Sequence, residues 1–269
     1  TIPTVPGSKR SGRFVTRSRS GFAACWRSWG SRQLPESQVS VGRRVTAEFI
    51  GTAFLLAGIV GSGIMASRLT SDSGLQLLQN AFATAALLTA LILAFGPLSG
   101  GHFNPVVTGA DWWFGGLSGR EALAYTVAQI CGGVLGVMIA NLMFELDAVS
   151  WSTTDRSSAG LFLAEMVATF GLLMVIFGVV RSGRPGAAPF AVGAYIAAAF
   201  YFTSSTSFAN PAVTIGRMFS DTFAGIAPAS APAFVIAEMV GMVLAVVAVR
   251  FLYPDVDEHA VEVVVPHGA

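Results

Sequence analysis

Charge is what this chain has least of. Only 12% of its 269 residues are Asp, Glu, Lys or Arg while 53% are hydrophobic, against roughly 25% charged in soluble domains. That balance excludes an ordinary water-soluble domain and points to an integral membrane protein. Acidic residues are absent before Glu36. The two cysteines, Cys25 in a polar stretch and Cys131 in an apolar one, are too few for a disulfide framework, and neither has metal-ligand spacing. No nucleophile stands with a matching base and no metal-binding cluster occurs, so the chain reads as a non-enzyme. Nothing in it implies a cofactor, a metal or a nucleic-acid partner.

Residues 1–41 are rich in Ser, Gly and Arg, without a periodic apolar face. They read as a disordered basic tail held near anionic lipid. Their composition also fits an organellar transit peptide, and the chain opens on Thr1 rather than Met. Residues 255–269 form a short polar C-terminal tail, which leaves 42–254 for the membrane domain.

A membrane-crossing helix needs about 20 apolar residues in succession. Six runs qualify, at about 47–67, 77–97, 121–144, 160–181, 188–206 and 231–253. Two further stretches, about 105–114 and 211–220, are too short to cross. Each is preceded by Asn-Pro: Asn104-Pro105-Val106 and Asn210-Pro211-Ala212. Asparagine is a strong N-cap and proline suits the first helical position. These are therefore half-helices that begin within the bilayer, where non-helical backbone is tolerated only if it packs in protein or lines a cavity.

The two halves resemble each other. The run from Ala47-Glu48-Phe49 to Leu56 recurs from Ala164-Glu165-Met166 to Leu173, and Ala128-Gln129-Ile130 recurs as Ala237-Glu238-Met239. The half-repeats cover about 45–145 and 159–253. Each holds three spans, an odd number, so the second enters the membrane from the opposite side as an inverted repeat. With the N-terminus cytoplasmic, only Arg68, Arg156 and Arg217 among the basic residues fall outside, the asymmetry expected of that orientation. Both termini are then cytoplasmic. Two half-helices meeting by their N-termini put two positive dipole ends, each about half a charge, beside the passage between them and disfavour cations there. With each cap oxygen engaged, the amide groups of Asn104 and Asn210 are available as donors to a passing solute.

Ser99-Gly100-Gly101-His102-Phe103-Asn104-Pro105-Val106 and Phe208-Ala209-Asn210-Pro211-Ala212-Val213-Thr214 resemble the two signature loops of the aquaporin (major intrinsic protein) family. The resemblance covers about residues 45–253. It implies an all-α membrane fold of six transmembrane helices plus two re-entrant half-helices, assembled as a homotetramer with one pore per protomer. It also implies a passive channel for small uncharged solutes in a bacterial inner membrane, surrounded by lipid.

Glu48 and Glu165 are ionisable groups within spans, where the default is a function. One reading is a proton or sodium relay. The resemblance favours another, in which each carboxylate accepts hydrogen bonds from the backbone of a re-entrant loop and anchors it. His102 fits either a pH-responsive cytoplasmic mouth or a loop tether. Glu238 replaces the Gln129 of the first half and has no evident role.

The departures from the family pattern bear on selectivity. At the outer constriction, where most members carry an arginine three residues after the second Asn, this chain has Val213; the other constriction positions are Thr84, Ser207 and either Ala198 or Phe200. A ring of Ala, Thr, Ser and Val is wide and weakly polar, and Phe200 narrows it. Either way the ring lacks its fixed cation. The second loop resembles that of a bacterial subgroup linked to arsenic resistance, which implies neutral metalloid hydroxides such as arsenous acid, then glycerol-like polyols and water. A plain water channel and a coupled secondary transporter are the alternatives. Arg217, four residues after Val213 and so on the same helix face, is expected to reach the outer vestibule as a solvated charge, or else to turn away to Asp221 or to lipid headgroups.

Overall fold

The computed structural model describes residues 39–253. All but the last three residues of the basic tail, Cys25 and the C-terminal tail lie outside the described residues. The order of elements is α1 (Val41–Leu69), α2 (Ser73–Ser99), the half-helix α3 (Pro105–Phe114), α4 (Gly119–Met143), α5 (Ala159–Arg181), α6 (Ala188–Phe202, entered through a 3-10 turn at Pro185–Ala187), the half-helix α7 (Pro211–Gly216, continued by a 3-10 turn at Arg217–Phe219) and α8 (Ala231–Leu252). Among the described residues, six helices are long and apolar enough to cross a membrane. Their lipid-facing surfaces expose large side chains such as Phe54, Phe82, Leu123, Phe190 and Phe251.

Four bounds differ by four residues or more from those the sequence suggests; the second helix begins at Ser73 rather than 77, with Asp72 capping it by accepting from Leu75 N at 2.8 Å. The first helix starts at Val41 rather than 47, because Arg44 holds the added turn by donating to Tyr125 Oη at 2.9 Å and Glu121 Oε1 at 3.0 Å. The fifth span stops at Phe202 rather than 206, since Thr203 leaves the helix in extended backbone and Thr206 already has positive φ. The second half-helix is shorter than 211–220, with its last turn tightened to 3-10.

The inverted repeat is visible in the packing. Helix α1 lies against α4 and α2, just as α5 lies against α8 and α6, and α2 meets α6 across the junction of the halves. The α1–α4 crossing depends on glycine. A Cβ on Gly132 would strike Phe49 O, and one on Gly136 would strike Ala53 O. In α8, Gly241 meets Met166 O of α5 in the same way. Small residues that let backbones approach are the usual means of packing helices in lipid, where burial of apolar surface gives no driving force. Both half-helices fill the space between these pairs, each touching α4 and α8.

Candidate functional site

The two re-entrant loops have the same backbone. In the first, Gly100, Gly101 and Phe103 have φ of 89°, 64° and 48°; in the second, the equivalent Thr206, Ser207 and Ala209 have φ of 64°, 51° and 47°. Only the first loop uses glycine, so the second is held in the left-handed region against the preference of its residues, a strain of order 1–3 kcal/mol per residue. Bonds on both sides of Phe103 and of Ala209 hold these two residues there. Phe103 N donates to Glu48 Oε2 and Ala209 N to Glu165 Oε2, each at 2.7 Å. Their carbonyls accept from the opposite loop: Asn104 Nδ2 to Ala209 O at 2.8 Å and Asn210 Nδ2 to Phe103 O at 2.9 Å.

Both asparagines cap their half-helices as their type dictates. Asn104 Oδ1 accepts from Val106 N at 3.0 Å, and Asn210 Oδ1 from Ala212 N at 2.9 Å and Val213 N at 3.3 Å. Pro105 and Pro211 take the first helical position, and Val106, Pro211 and Ala212 are buried. The side-chain amides are not wholly free. One N–H of each bridges to the other loop, which leaves the second of its two amide hydrogens for the cavity that both residues line.

Glu48 and Glu165 are fully buried. Glu48 accepts from Ser99 Oγ at 2.6 Å, His102 N at 3.1 Å, Phe103 N and Gln129 Nε2 at 2.8 Å. Glu165 accepts from Phe208 N at 2.9 Å and from Ala209 N. Each carboxylate thus accepts from the backbone of one re-entrant loop. Glu238 also finds a place: its Oε1 accepts from Asn210 N at 3.2 Å and Thr214 Oγ1 at 2.6 Å.

A cavity runs past both asparagines. Toward the face that carries the start of α1 it is lined by Ile92, Gly101, His102 and Val107; toward the opposite face by Thr84, Phe200, Ser207, Val213 and Arg217. Ala198 lies exposed on the outer side of α6, so Phe200 is the α6 residue that faces the cavity. Two lining hydroxyls, Thr84 Oγ1 and Ser207 Oγ, are buried without a hydrogen-bond partner. His102 Nδ1 is 3.1 Å from Thr108 Oγ1, its Nε2 is 3.7 Å from Asp111 Oδ2, and its ring packs edge-on against Tyr125.

Arg217 departs from the expectation of a solvated vestibule charge. It lines the cavity together with Val213, as i and i+4 should, but it is 3% exposed. Its Nε donates to Ala224 O and its guanidinium stands over the Phe208 ring. It does not reach Asp221, which accepts from Thr153 N at 2.8 Å instead. The far end of the cavity therefore does carry a fixed cation, one turn beyond the position where the resemblance would put it. Sequence reasoning also passed over Asp111, Gln129 and Arg156. Asp111 is an acid in an apolar run, the signal that singled out Glu48. Gln129 and Arg156 carried no such signal, because their partners come from other elements.

A sequence model of the family described as "Major intrinsic protein" matches residues 36–209. Aquaglyceroporin AqpS of Rhizobium meliloti (strain 1021) is 47% identical over 210 residues, covering 78% of this chain and 90% of that protein. Aquaporin Z of Photorhabdus laumondii subsp. laumondii is 32% identical over 166 residues, covering 56% of this chain and 71% of that protein. The aquaglyceroporin from Plasmodium falciparum shares the fold with a TM-score of 0.65 at 23% identity, over 81% of this chain and all of that one.

Proposed function

The chain belongs to the major intrinsic protein family, and we propose on that premise that its channel passes compact neutral solutes rich in oxygen, with metalloid hydroxides such as arsenous acid first, glycerol-like polyols next and water last. That it is a non-enzymatic, multi-pass membrane channel for water and small solutes follows from the family. The finer reading rests on the lining of the cavity: Thr84, Phe200, Ser207 and Val213 all line it, and the Thr84 and Ser207 hydroxyls are buried without a hydrogen-bond partner, where a bulky aromatic and an arginine would narrow a pore for water alone. Selectivity in such pores rests on diameter, lining donors and electrostatic barriers. A solute with several hydroxyls can meet Thr84 Oγ1 and Ser207 Oγ at the constriction and the amides of Asn104 and Asn210 below it. The similarity to an aquaglyceroporin supports the passage of glycerol-like polyols and water.

Orientation and assembly belong to this reading as well. We place both termini in the cytoplasm of a bacterial cell, the protein in its inner membrane, and four copies in a homotetramer with one pore each. The first half-helix then descends from the cytoplasm, and the end lined by Arg217 is the outer end. Glu48 and Glu165 act as loop anchors rather than ion relays, since each accepts hydrogen bonds from the backbone of a re-entrant loop. Stopped-flow light scattering of proteoliposomes under gradients of water, glycerol and arsenous acid tests the reading. Flux linear in the gradient and indifferent to proton or sodium gradients is expected, with glycerol and arsenous acid passing. Flux of water alone would reduce the protein to a water channel, and flux that follows an ion gradient would make it a transporter.

A further inference from the structure

At the end opposite the start of α1, two guanidinium groups share one aromatic ring. Arg217 Cζ stands 3.5 Å from the Phe208 ring centroid and Arg156 Cζ 5.1 Å from the same centroid. Arg156 comes from the loop that joins the two halves. Its Nε donates to Gly225 O at 3.0 Å and its Nη1 to Ser205 O at 3.5 Å, while Arg217 Nε donates to Ala224 O. Adjacent carbonyls of one exit loop thus each take one arginine. The loop is built for this: a Cβ at position 225 would strike Ser152 Oγ and Ser220 O, so only glycine lets the loop pass close enough.

Two cations so close repel, and burial of either costs solvation. Two features offset that: the carbonyl acceptors and the negative face of the ring. Burial also holds the Arg156 guanidinium below its ordinary value. Arg217 is itself one of the residues that line the cavity, with its Nε committed to Ala224 O and Arg156 over the same ring.

We infer that Arg217 supplies the selectivity charge at this end of the channel and that Arg156 positions it. Arg156 ties Ser205, Phe208 and Gly225 into one surface and keeps Arg217 on the cavity side of it. A cation at this point meets a guanidinium set in a low-dielectric wall, where charge acts over longer range than in water. A neutral solute with lone pairs meets donors. The inference rests on the channel reading and adds to it two residues outside the signature loops.

The test compares glycerol flux and sodium leak in proteoliposomes for the parent and for R217Q, R217K, R156Q and R156K, each checked for assembly by size exclusion. R217Q is expected to raise the ratio of sodium leak to glycerol flux about tenfold over the parent. R156Q should raise leak by a smaller factor, and R156K should not restore it, because an ammonium cannot span two carbonyls as the guanidinium fork does. The charge is buried, so the R217Q leak should persist at high salt, where a solvated charge would be screened. A leak in R217Q equal to the parent's overturns the role of Arg217, and full rescue by R156K overturns positioning by Arg156. If R217Q does not assemble, R217K reads the same point: leak at the parent level is expected, and a tenfold rise overturns the inference. A parent that passes no glycerol would instead fail the channel reading, so the two failures are distinct.

Discussion

Asp111 and Arg217 occupy the same place in the two half-helices, seven residues after Asn104 and Asn210, with opposite charge. Each faces the residue two before its asparagine: Asp111 Oδ2 lies 3.7 Å from His102 Nε2, and the Arg217 guanidinium lies over Phe208. The helix dipole treats them differently. A cation just past the C-terminal end of α7 is favoured there, whereas an anion in the last turn of α3 is not. The imidazole offsets that cost in the first half, as the ring and carbonyl do in the second.

The first prediction concerns that pair. His102→Gln and Asp111→Asn should be non-additive, with a coupling between about 0.5 and 3 kcal/mol, when thermal unfolding is followed in detergent for both single variants and the double. Additive effects would mean that the 3.7 Å approach carries no energy and that His102 serves only Thr108.

The cross-loop amides give the second. Asn104→Asp and Asn210→Asp keep the cap oxygen but remove the donor to the opposite loop, leaving Ala209 O or Phe103 O without its partner. They also bring negative charge to the point where the two helix dipoles meet. Each is expected to cost about 1–3 kcal/mol of stability, cut glycerol flux and raise cation leak. Flux and leak both unchanged in the assembled variants would remove these side chains from selectivity.

Much of this was legible in the sequence because the bilayer leaves few choices. Apolar runs of spanning length fix the helices, and Asn-Pro after such a run fixes the start of a helix at depth. A repeat of three spans fixes the inversion. Glu48 and Glu165 could be named because a buried carboxylate needs donors, and a re-entrant loop has them. The partnerships across the halves were not legible. Nothing local marks Arg156 as the neighbour of Phe208, since the two are 52 residues apart and meet only once the inter-repeat loop folds over the exit loop. Nor does the i+4 spacing of Val213 and Arg217 say whether the stem ends in solvent or, as it does, on an aromatic ring.

The third prediction tests the constriction. Thr84→Phe should narrow it and replace an unpartnered hydroxyl with a ring, lowering glycerol and arsenous acid flux several-fold while water continues to pass. Val213→Arg should do the same and in addition bring another guanidinium to within one helical turn of Arg217, so it is expected to lower the unfolding temperature as well. Large-solute flux at the parent level in the double variant would place the narrow point elsewhere, with Phe200 the next residue to change.

Glu238 supplies the last. In the first half the equivalent Gln129 donates its amide to Glu48 Oε2 and to Thr108 Oγ1, at 2.8 and 2.9 Å. In the second half the side chain works in the opposite sense, accepting at Oε1 from Asn210 N and Thr214 Oγ1. A glutamine could do the same through its carbonyl oxygen, and its amide could turn toward Glu165 as Gln129 turns toward Glu48. Glu238→Gln should therefore assemble and conduct like the parent, with stability equal or higher because one ionisable group leaves a fully buried site. Glu238→Leu is the contrast. It removes the one carboxylate oxygen that the Asn210 N–H and the Thr214 hydroxyl share, which should cost about 1–3 kcal/mol for each group left unpaired. Since Asn210 N belongs to the residue that caps α7 and bridges to Phe103, that loss should appear in solute flux as well as in thermal unfolding. Equal behaviour of the Gln and Leu variants in both measurements would show that Glu238 merely fills space behind the half-helix.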